Sequence, residues 1–300
     1  MANLPHNASG ELYRQKWLSS ERYFARSWTH IFYRWKYLRV MVGQVAQAIL
    51  PASGSKAPLV LELGCGMGNC IFEAQSVCDG IGDVRWFGLD RDGQAVSTAS
   101  VFSRFREAER RLPPVHFLTA DLNALPFGDA TVDVVLCAEV LEHMADPSVA
   151  IAEMARILKP GGHAVITTPN PQNPVERLGS AIDNFLHGAL KKMFWSGQDA
   201  VTAPPLDAAV GLGHVSVFSF KTWQGWLKEA GLPVVKKVRG PLLFGGPFFD
   251  RNRFVSGCLI ALDPIMDRLP GCYLLSTNLG MVCRRHNDLQ RPKGDHISSG

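Results

Sequence analysis

Two hydrophobic periods alternate along the first half of the chain. Short apolar runs, typical of strands buried on both faces of a sheet, are separated by longer stretches with apolar residues at helical spacing. This alternation predicts a doubly wound α/β sheet, because parallel strands need a helical crossover between them. The predicted strands are 59–63, 84–90, 115–120, 132–137 and 163–168, and the predicted helices are 70–77, 94–111 and 147–158.

The pattern changes after the fifth predicted strand. Periodicity is lost over 171–213, apart from a helical stretch at 181–195. A long insertion on the ligand side of such a sheet is a common place for a substrate lid. The later predicted elements are a helix at 221–230, a sixth strand at 233–239, an apolar helix at 254–269 and a final strand at 272–284. We therefore divide the chain into an N-terminal helical segment (1–54), a core with the insertion (55–240) and a C-terminal segment (241–300).

The first apolar run ends in three glycines at every second position, Gly64, Gly66 and Gly68. A glycine-rich turn between a strand and a helix can bring backbone N–H groups to a dinucleotide or a phosphate. Two features argue against both ligands. No Lys followed by Ser or Thr comes after the glycines, as a phosphate loop requires. The carboxylate of Glu62 precedes them, where it would repel a pyrophosphate but suits a ligand that carries positive charge.

A second carboxylate follows the second predicted strand. Asp90 lies 26 residues after Gly64, which corresponds to one helical crossover and places both residues at the carboxyl edge of the sheet. A carboxylate there can accept hydrogen bonds from both hydroxyls of a ribose. The alternative is that Asp90 caps the helix predicted to begin at Gln94.

The composition is that of an ordinary globular chain. Its 300 residues are 46% hydrophobic and 19% charged, and the net charge of +4 is too small to indicate a nucleic-acid-binding protein. Because the seven cysteines lack paired spacing, we expect reduced thiols, a cytoplasmic location and no metal site.

Neither a signal segment nor a membrane span is expected. The N-terminal residues lack a basic stretch followed by an apolar run. The longest apolar stretch, 254–282, is interrupted by charged residues and prolines. That stretch is interpreted as core or as a surface-docking segment.

Residues 11–50 combine aromatic and basic side chains in a helix-compatible segment. Seven basic and two acidic residues give this segment a charge of about +5. It could form a substrate lid, a membrane-surface helix or a nucleic-acid-binding patch. Alternatively, it is an amphipathic helix that packs its aromatic side chains on the core and extends its basic groups into water.

Four motifs resemble those of the class I S-adenosylmethionine-dependent methyltransferases, in particular the members that act on small molecules. They are E-x-G-x-G-x-G at 62–68, D-x-x-x-L-P-F-x-D at 121–129, E-V-L-E-H at 139–143 and R-I-L-K-P-G-G followed by T-T-P-N within 156–170. The resemblance covers 55–170 and, more loosely, 213–240. It implies a Rossmann-like, seven-stranded sheet with an antiparallel last strand, S-adenosylmethionine as cofactor and S-adenosylhomocysteine as product.

The resemblance also implies roles for individual residues. Asp121 would meet the amino group of the adenine, and the backbone of Leu122 its ring nitrogen. Alternatively, Asp121 only caps a turn. The predicted cofactor-binding residues are Glu62, Gly64, Cys65, Gly66, Gly68, Asp90, Arg91, Asp121, Leu122 and Glu139.

The reaction that this family performs narrows the choice of catalytic residues. Methyl transfer from a sulfonium is an in-line displacement, and an oxygen nucleophile must also lose its proton. His143, after the fourth strand, His214, after the insertion, and Glu139 could each face the pocket as a base. The two histidines are preferred because imidazole titrates near neutral pH. Either histidine could instead have only a structural role in its loop.

The predicted acceptor is a small or lipid-like molecule methylated at oxygen. Residues 137–140 lack the Asn/Asp-Pro-Pro-Tyr tetrapeptide of relatives that methylate amino groups of bases or amide side chains. The alternatives are C- or N-methylation of a small molecule, or methylation of an RNA or protein docked by the basic N-terminal segment. We expect no nucleic-acid partner, leave peripheral contact with a membrane open, and make no prediction of the oligomeric state.

Overall fold

A seven-stranded sheet forms the centre of the computed structural model. The structure describes residues 31–33, 35–50, 54, 56–110, 112–171, 173–174, 218–242, 253–269 and 271–286. The strands are β1 (Leu59–Leu63), β2 (Arg85–Asp90), β3 (Val115–Thr119), β4 (Val132–Ala138), β5 (Leu158–Pro169), β6 (Val234–Arg239) and β7 (Asn278–Arg284).

The sheet has the order β3-β2-β1-β4-β5-β7-β6. Strands β1 to β5 pair in parallel, and β7 pairs antiparallel with both β5 and β6. The Rossmann-like sheet with an antiparallel last strand, expected from the sequence, is confirmed. The carboxyl ends of β2, β1 and β4 lie next to one another at one edge.

Helices cover the sheet in two layers. They are a π-helix (Trp35–Gln44), α1 (Val45–Ile49), α2 (Asn69–Val77), α3 (Gly93–Arg110), α4 (Pro147–Ile157), α5 (Phe220–Glu229) and α6 (Arg253–Met266), with short 3₁₀ turns at Leu141–His143 and Cys272–Leu275. One buried cluster joins the sheet to α4 and α5, and a second joins it to the π-helix, α1 and α2. Burial on both faces explains why the central strands are continuously apolar.

Two of the N-terminal aromatic side chains that the structure describes, Tyr33 and Tyr37, pack on the core, whereas Trp35 is 52% exposed. Tyr33, Tyr37 and Leu50 are buried together with Val60 and Leu136 of the sheet. For residues 31–50, the buried tyrosines agree with the interpretation of an amphipathic segment packed on the core, whereas the exposed Trp35 and the buried Lys36 depart from it. Residues 1–30, which carry most of the basic side chains of this segment, lie outside the described residues.

Two predicted boundaries are wrong. The chain passes from α4 directly into β5 at Leu158, five residues before the predicted strand, and Leu158 pairs with Val132. Pro160 disfavours a helical conformation at the residue before it, and Thr131 N–H donates to Ile157 O at 2.8 Å. In the C-terminal segment, the predicted start of the last strand at 272 is a 3₁₀ turn, which follows Gly271 with a φ of +85°.

The predicted insertion at 171–213 falls almost entirely outside the described residues, so the predicted lid and the three-part division of the chain stay predictions. None of the helices that the structure describes has the length and apolar character needed to cross a bilayer.

Candidate active site

The turn after β1 adopts a conformation that favours glycine. Gly64, Gly66 and Gly68 have φ values of +65°, +50° and +83°, in the left-handed region. A Cβ atom on Gly64 would lie 2.5 Å from Cγ2 of Val140, so the turn packs against the loop after β4. A Cβ atom on Gly66 would meet no other atom within 4 Å. The backbone of Gly66 is therefore open to an approaching ligand.

Asp90 lies beside this turn, as its position in the sequence predicts. Its Oδ2 accepts a hydrogen bond from Gly66 N–H at 2.8 Å, and its Oδ1 accepts one from Asp92 N–H at 2.9 Å. The pairing of Leu63 with Leu89 brings the ends of β1 and β2 together. Asp92 Oδ1, rather than Asp90, accepts a hydrogen bond from the N–H of Gln94, in the first turn of α3, at 2.9 Å. The carboxylate of Asp90 therefore belongs to the glycine turn and not to the helix cap.

Glu62 is buried near the end of β1, with 2% of its surface exposed. Its Oε2 accepts a hydrogen bond at 3.0 Å from the N–H of Ile71, in the first turn of α2. Burial raises the pKa of Glu62 to about 8, although hydrogen bonds from Cys70 and Ile71 oppose this effect. The carboxyl group is therefore mainly neutral at pH 7, and a nearby cation would favour its ionised form.

Asp121 follows β3 on an exposed turn. Its Oδ1 accepts a hydrogen bond from Asn123 N–H at 2.9 Å, so the side chain caps this turn. Leu122 is 7% exposed and belongs to the core. Helix α4 holds the same loop, because Arg156 Nη2 donates to Leu125 O at 3.1 Å. The capping role of Asp121 is thus observed, and its contact with an adenine stays a prediction.

Two carboxyl groups and a histidine follow β4. Glu139 has a φ of +54°, a strained backbone conformation for a residue other than glycine, and its N–H donates to Thr167 O at 3.1 Å. Glu142 is fully buried, and burial, together with the nearby charge of Glu139, raises its pKa. His143 Nε2 lies 3.9 Å from Glu142 Oε1, too far for a hydrogen bond, and its side chain is 22% exposed. The side chain of His143 is therefore partly accessible from outside, whereas Glu142 is fully buried.

The π-helix brings a tyrosine to this edge that the sequence analysis missed. The hydroxyl of Tyr37 and Oγ1 of Thr167, near the end of β5, are hydrogen-bonded at 2.7 Å. The ring of Tyr37 stacks on that of Tyr33, with centroids 5.7 Å apart. Burial and the neighbouring Glu139 raise the pKa of Tyr37, so the phenol keeps its proton. The spacing of these aromatic residues is visible in the sequence, but the strand that they contact is not.

The remaining predicted site residues differ in their positions. Cys65 is buried in the glycine turn, and its N–H donates to Leu89 O at 2.9 Å. Arg91 is exposed at the end of β2. His214 lies outside the described residues.

The chain is similar in sequence to known methyltransferases. Residues 61–166 match a family described as "Methyltransferase domain". A "Probable S-adenosylmethionine-dependent methyltransferase" of Mycolicibacterium smegmatis is 37% identical over 113 residues, which cover 37% of this chain and 38% of that protein. An O-methyltransferase of Penicillium expansum is 34% identical over 139 residues, which cover 44% of this chain and 46% of that protein. The chain thus spans less than half the length of these relatives.

Residues 61–166 thus form a methyltransferase domain of the class I S-adenosylmethionine-dependent superfamily. The fold of this chain is similar to that of a chain in a solved complex, the one between the Haloferax volcanii Trm112 methyltransferase activator and a methyltransferase. It superposes with a TM-score of 0.54 at 19% sequence identity, covering 87% of this chain and 99% of that one.

The carboxyl edge fits the cofactor of this methyltransferase superfamily. S-adenosylmethionine supplies a methyl group on a positively charged sulfonium and also carries an amino group and a ribose. The open backbone at Gly66 leaves room for such a molecule. Carboxyl groups lie at the end of β2, one residue before the end of β1 and directly after β4, and these three strands are neighbours. These carboxyl groups suit a cationic ligand, which favours their ionised form, better than a pyrophosphate, which opposes it.

Proposed function

We propose that this methyltransferase transfers the methyl group of S-adenosylmethionine to an oxygen atom of a small or lipid-like acceptor. The observation that carries the proposal is the open left-handed turn at Gly66 beside the carboxylate of Asp90. Sequence similarity supports the choice of oxygen, since the Penicillium expansum relative is named an O-methyltransferase.

In this proposal, the two carboxyl groups nearest the turn hold opposite parts of the cofactor. Each oxygen of Asp90 accepts one backbone hydrogen bond, which leaves a lone pair on each for a ribose hydroxyl. Glu62 provides a carboxyl group whose ionisation a cationic group would stabilise. Asp121 and Leu122 would bind the adenine, and Glu139 would lie closer to the reacting groups.

His143 is the proposed general base. It follows β4 at the same edge, and its side chain is partly exposed. The proton lost by an acceptor hydroxyl would pass to its imidazole as the oxygen attacks the methyl carbon. The carboxyl group of Glu142 is held largely neutral at pH 7 by burial, so it competes poorly for this role.

The proposal is tested by incubating the purified protein with methyl-labelled S-adenosylmethionine and with lipid and aqueous fractions of a cell extract. We expect a labelled product in one fraction, and fragmentation in a mass spectrometer should place the methyl group on oxygen. The variant His143→Asn should lower turnover by about 100-fold without changing the dissociation constant of the cofactor.

His163→Asn is the matched control. This histidine lies in the middle of β5, paired with Arg284 of β7, and is four residues, or about 13 Å along the strand, before Thr167. We expect the turnover of this variant to equal that of the unmodified protein. A product methylated on carbon or nitrogen, formed at full rate by His143→Asn, would refute O-methylation with His143 as the base.

A further inference from the structure

Helix α6 turns its polar side chains inward and its apolar side chains outward. Only Ser256 and Asp263 of this helix are buried. The apolar residues at helical spacing on the opposite side form what we call the outer face of α6. Its members are Phe254, Cys258, Leu262, Ile265 and, just beyond the helix, Leu269. Phe254 is 84% exposed and Ile265 52%. This is the reverse of the usual arrangement, in which an amphipathic helix buries its apolar stripe.

A cluster of ion pairs fixes the helix in this orientation. Lys36 Nζ, from the π-helix, contacts Asp263 Oδ2 and Asp267 Oδ2, each at 2.5 Å. Arg239, at the end of β6, contacts Asp263 Oδ1 and Asp267 Oδ1, each at 2.8 Å. Side chains of Lys36, Asp263 and Arg239 are almost fully buried. Because breaking such a network leaves a buried charge unpaired, the helix cannot easily rotate to bury its apolar side chains.

Among the described residues of 253–269, the charged side chains without a partner in this cluster are positive. Both acidic residues of 253–269, Asp263 and Asp267, are engaged with Lys36 and Arg239, whereas Arg253 and Arg268, near the two ends of the helix, are exposed. The adjoining turn continues the surface, since Leu274 is 45% exposed.

We propose that the outer face of α6 docks on the surface of an anionic lipid bilayer. An apolar stripe flanked by basic residues is the pattern of helices that lie in the membrane interface, where acyl chains take up the apolar side chains and anionic headgroups attract the basic ones. The helix has 14 residues, which is too short to span a bilayer but long enough to lie on one. Charge complementarity favours a bilayer over a second copy of the chain, because two copies would bring their arginines together.

The docked helix would place the candidate active site close to the membrane. Lys36, which holds α6, is followed directly by Tyr37, which contacts the end of β5. This inference does not depend on the proposed methyl acceptor, although a lipid-like acceptor would be within reach of a site held there.

Flotation of the full chain with vesicles tests the proposal. We expect the protein to bind vesicles of phosphatidylcholine mixed with phosphatidylglycerol more tightly than vesicles of phosphatidylcholine alone, and to bind less at high salt. Phe254→Gln should weaken binding to the mixed vesicles by about tenfold. Arg268→Gln should weaken it by about fivefold, and only for the anionic vesicles. Phe105→Gln is the matched control, because Phe105 lies on α3 and is also exposed, at 57%.

A fluorophore reports on the same surface directly. Cys258 is exposed on the outer face, and among the cysteines that the structure describes only Cys272 is also accessible, to an intermediate extent. A polarity-sensitive dye attached to Cys258 in a Cys272→Ser background should shift to shorter wavelength when anionic vesicles are added.

Three results would overturn the proposal. One is the absence of binding to both kinds of vesicle, and another is an equal loss of binding for Phe254→Gln and Phe105→Gln. The third is a dimer, detected by light scattering, that Phe254→Gln dissociates, since this would assign the outer face to a second copy of the chain.

Discussion

Replacing Glu62 by glutamine should change how cofactor binding depends on pH. Because burial raises the pKa of Glu62 to about 8, the free protein holds a neutral carboxyl group at pH 7. If the cationic part of S-adenosylmethionine binds beside Glu62, the bound form carries a carboxylate, and binding releases a proton. The amide of the Glu62→Gln variant has no such proton to release. Its oxygen can still accept the hydrogen bond that Ile71 N–H donates to Glu62 Oε2, at 3.0 Å in the unmodified protein.

The size of the effect follows from that pKa. With a pKa of about 8, roughly 0.9 proton should be released per cofactor bound at pH 7, and the affinity of the unmodified protein should rise about 50-fold between pH 6 and pH 8.

The stability of the free protein should change in the opposite direction, falling as the pH rises. A raised pKa in the folded state stabilises it most below the ordinary value of 4.5, and this contribution is lost as the pH rises through 8. Its upper limit is about 5 kcal/mol, because one pKa unit is worth about 1.4 kcal/mol.

Calorimetric titration in buffers of different ionisation enthalpy measures the protons released. The titration is run from pH 6 to pH 9 on the unmodified protein and on Glu62→Gln, and thermal unfolding is followed over the same range. The amino group of the cofactor titrates in both experiments, so its effect cancels in the comparison. Equal proton release by the two proteins at pH 7 would show that Glu62 does not meet the cation, and the assignment of this carboxyl group would be withdrawn.

Three further substitutions test the turn, the ribose site and the buried ion pairs. Gly66→Ala should lower stability by about 1 kcal/mol, measured by urea unfolding, because its φ of +50° is unfavourable for alanine; an unchanged midpoint would contradict this. Asp90→Asn should weaken S-adenosylmethionine binding at least about tenfold in calorimetry, since an amide replaces one of two acceptor oxygens, and an unaltered dissociation constant would remove Asp90 from the site. Lys36→Met should destabilise the fold by about 3–5 kcal/mol by leaving buried Asp263 short of a partner, whereas a loss below about 1 kcal/mol would show that the cluster does not hold α6.

The sequence predicts the sheet and its carboxyl edge well because both depend on local patterns. Each central strand is an apolar run, and Asp90 ends β2 one crossover after the glycines, so its place beside Gly66 follows from the topology. The start of β5 was missed because residues 158–162 are held by distant partners. For example, Gly161 N–H donates to Arg285 O at 3.0 Å, a contact that no local pattern reveals.

Other features depend on packing between distant segments. The sequence leaves open whether the apolar stretch 254–282 is core or a surface-docking segment. The apolar side chains of α6 face outward, because Lys36 and Arg239 bind the aspartates on the opposite side. The contact of Tyr37 with Thr167 joins residues 130 positions apart. The strain at Glu139, with a φ of +54°, is likewise a property of the folded backbone. Such pairings between remote elements cannot be read from hydrophobic periodicity alone.

Calorimetric titration of the purified chain with S-adenosylmethionine and, separately, with NADH tests the central claim most directly. The claim is that the glycine turn and its carboxylates form a cofactor site for a sulfonium and not for a pyrophosphate. We predict binding of S-adenosylmethionine with one site per chain and no heat of binding with NADH. Binding of NADH without binding of S-adenosylmethionine would contradict the assignment of the turn, and with it the roles given to Glu62, Asp90 and Asp121.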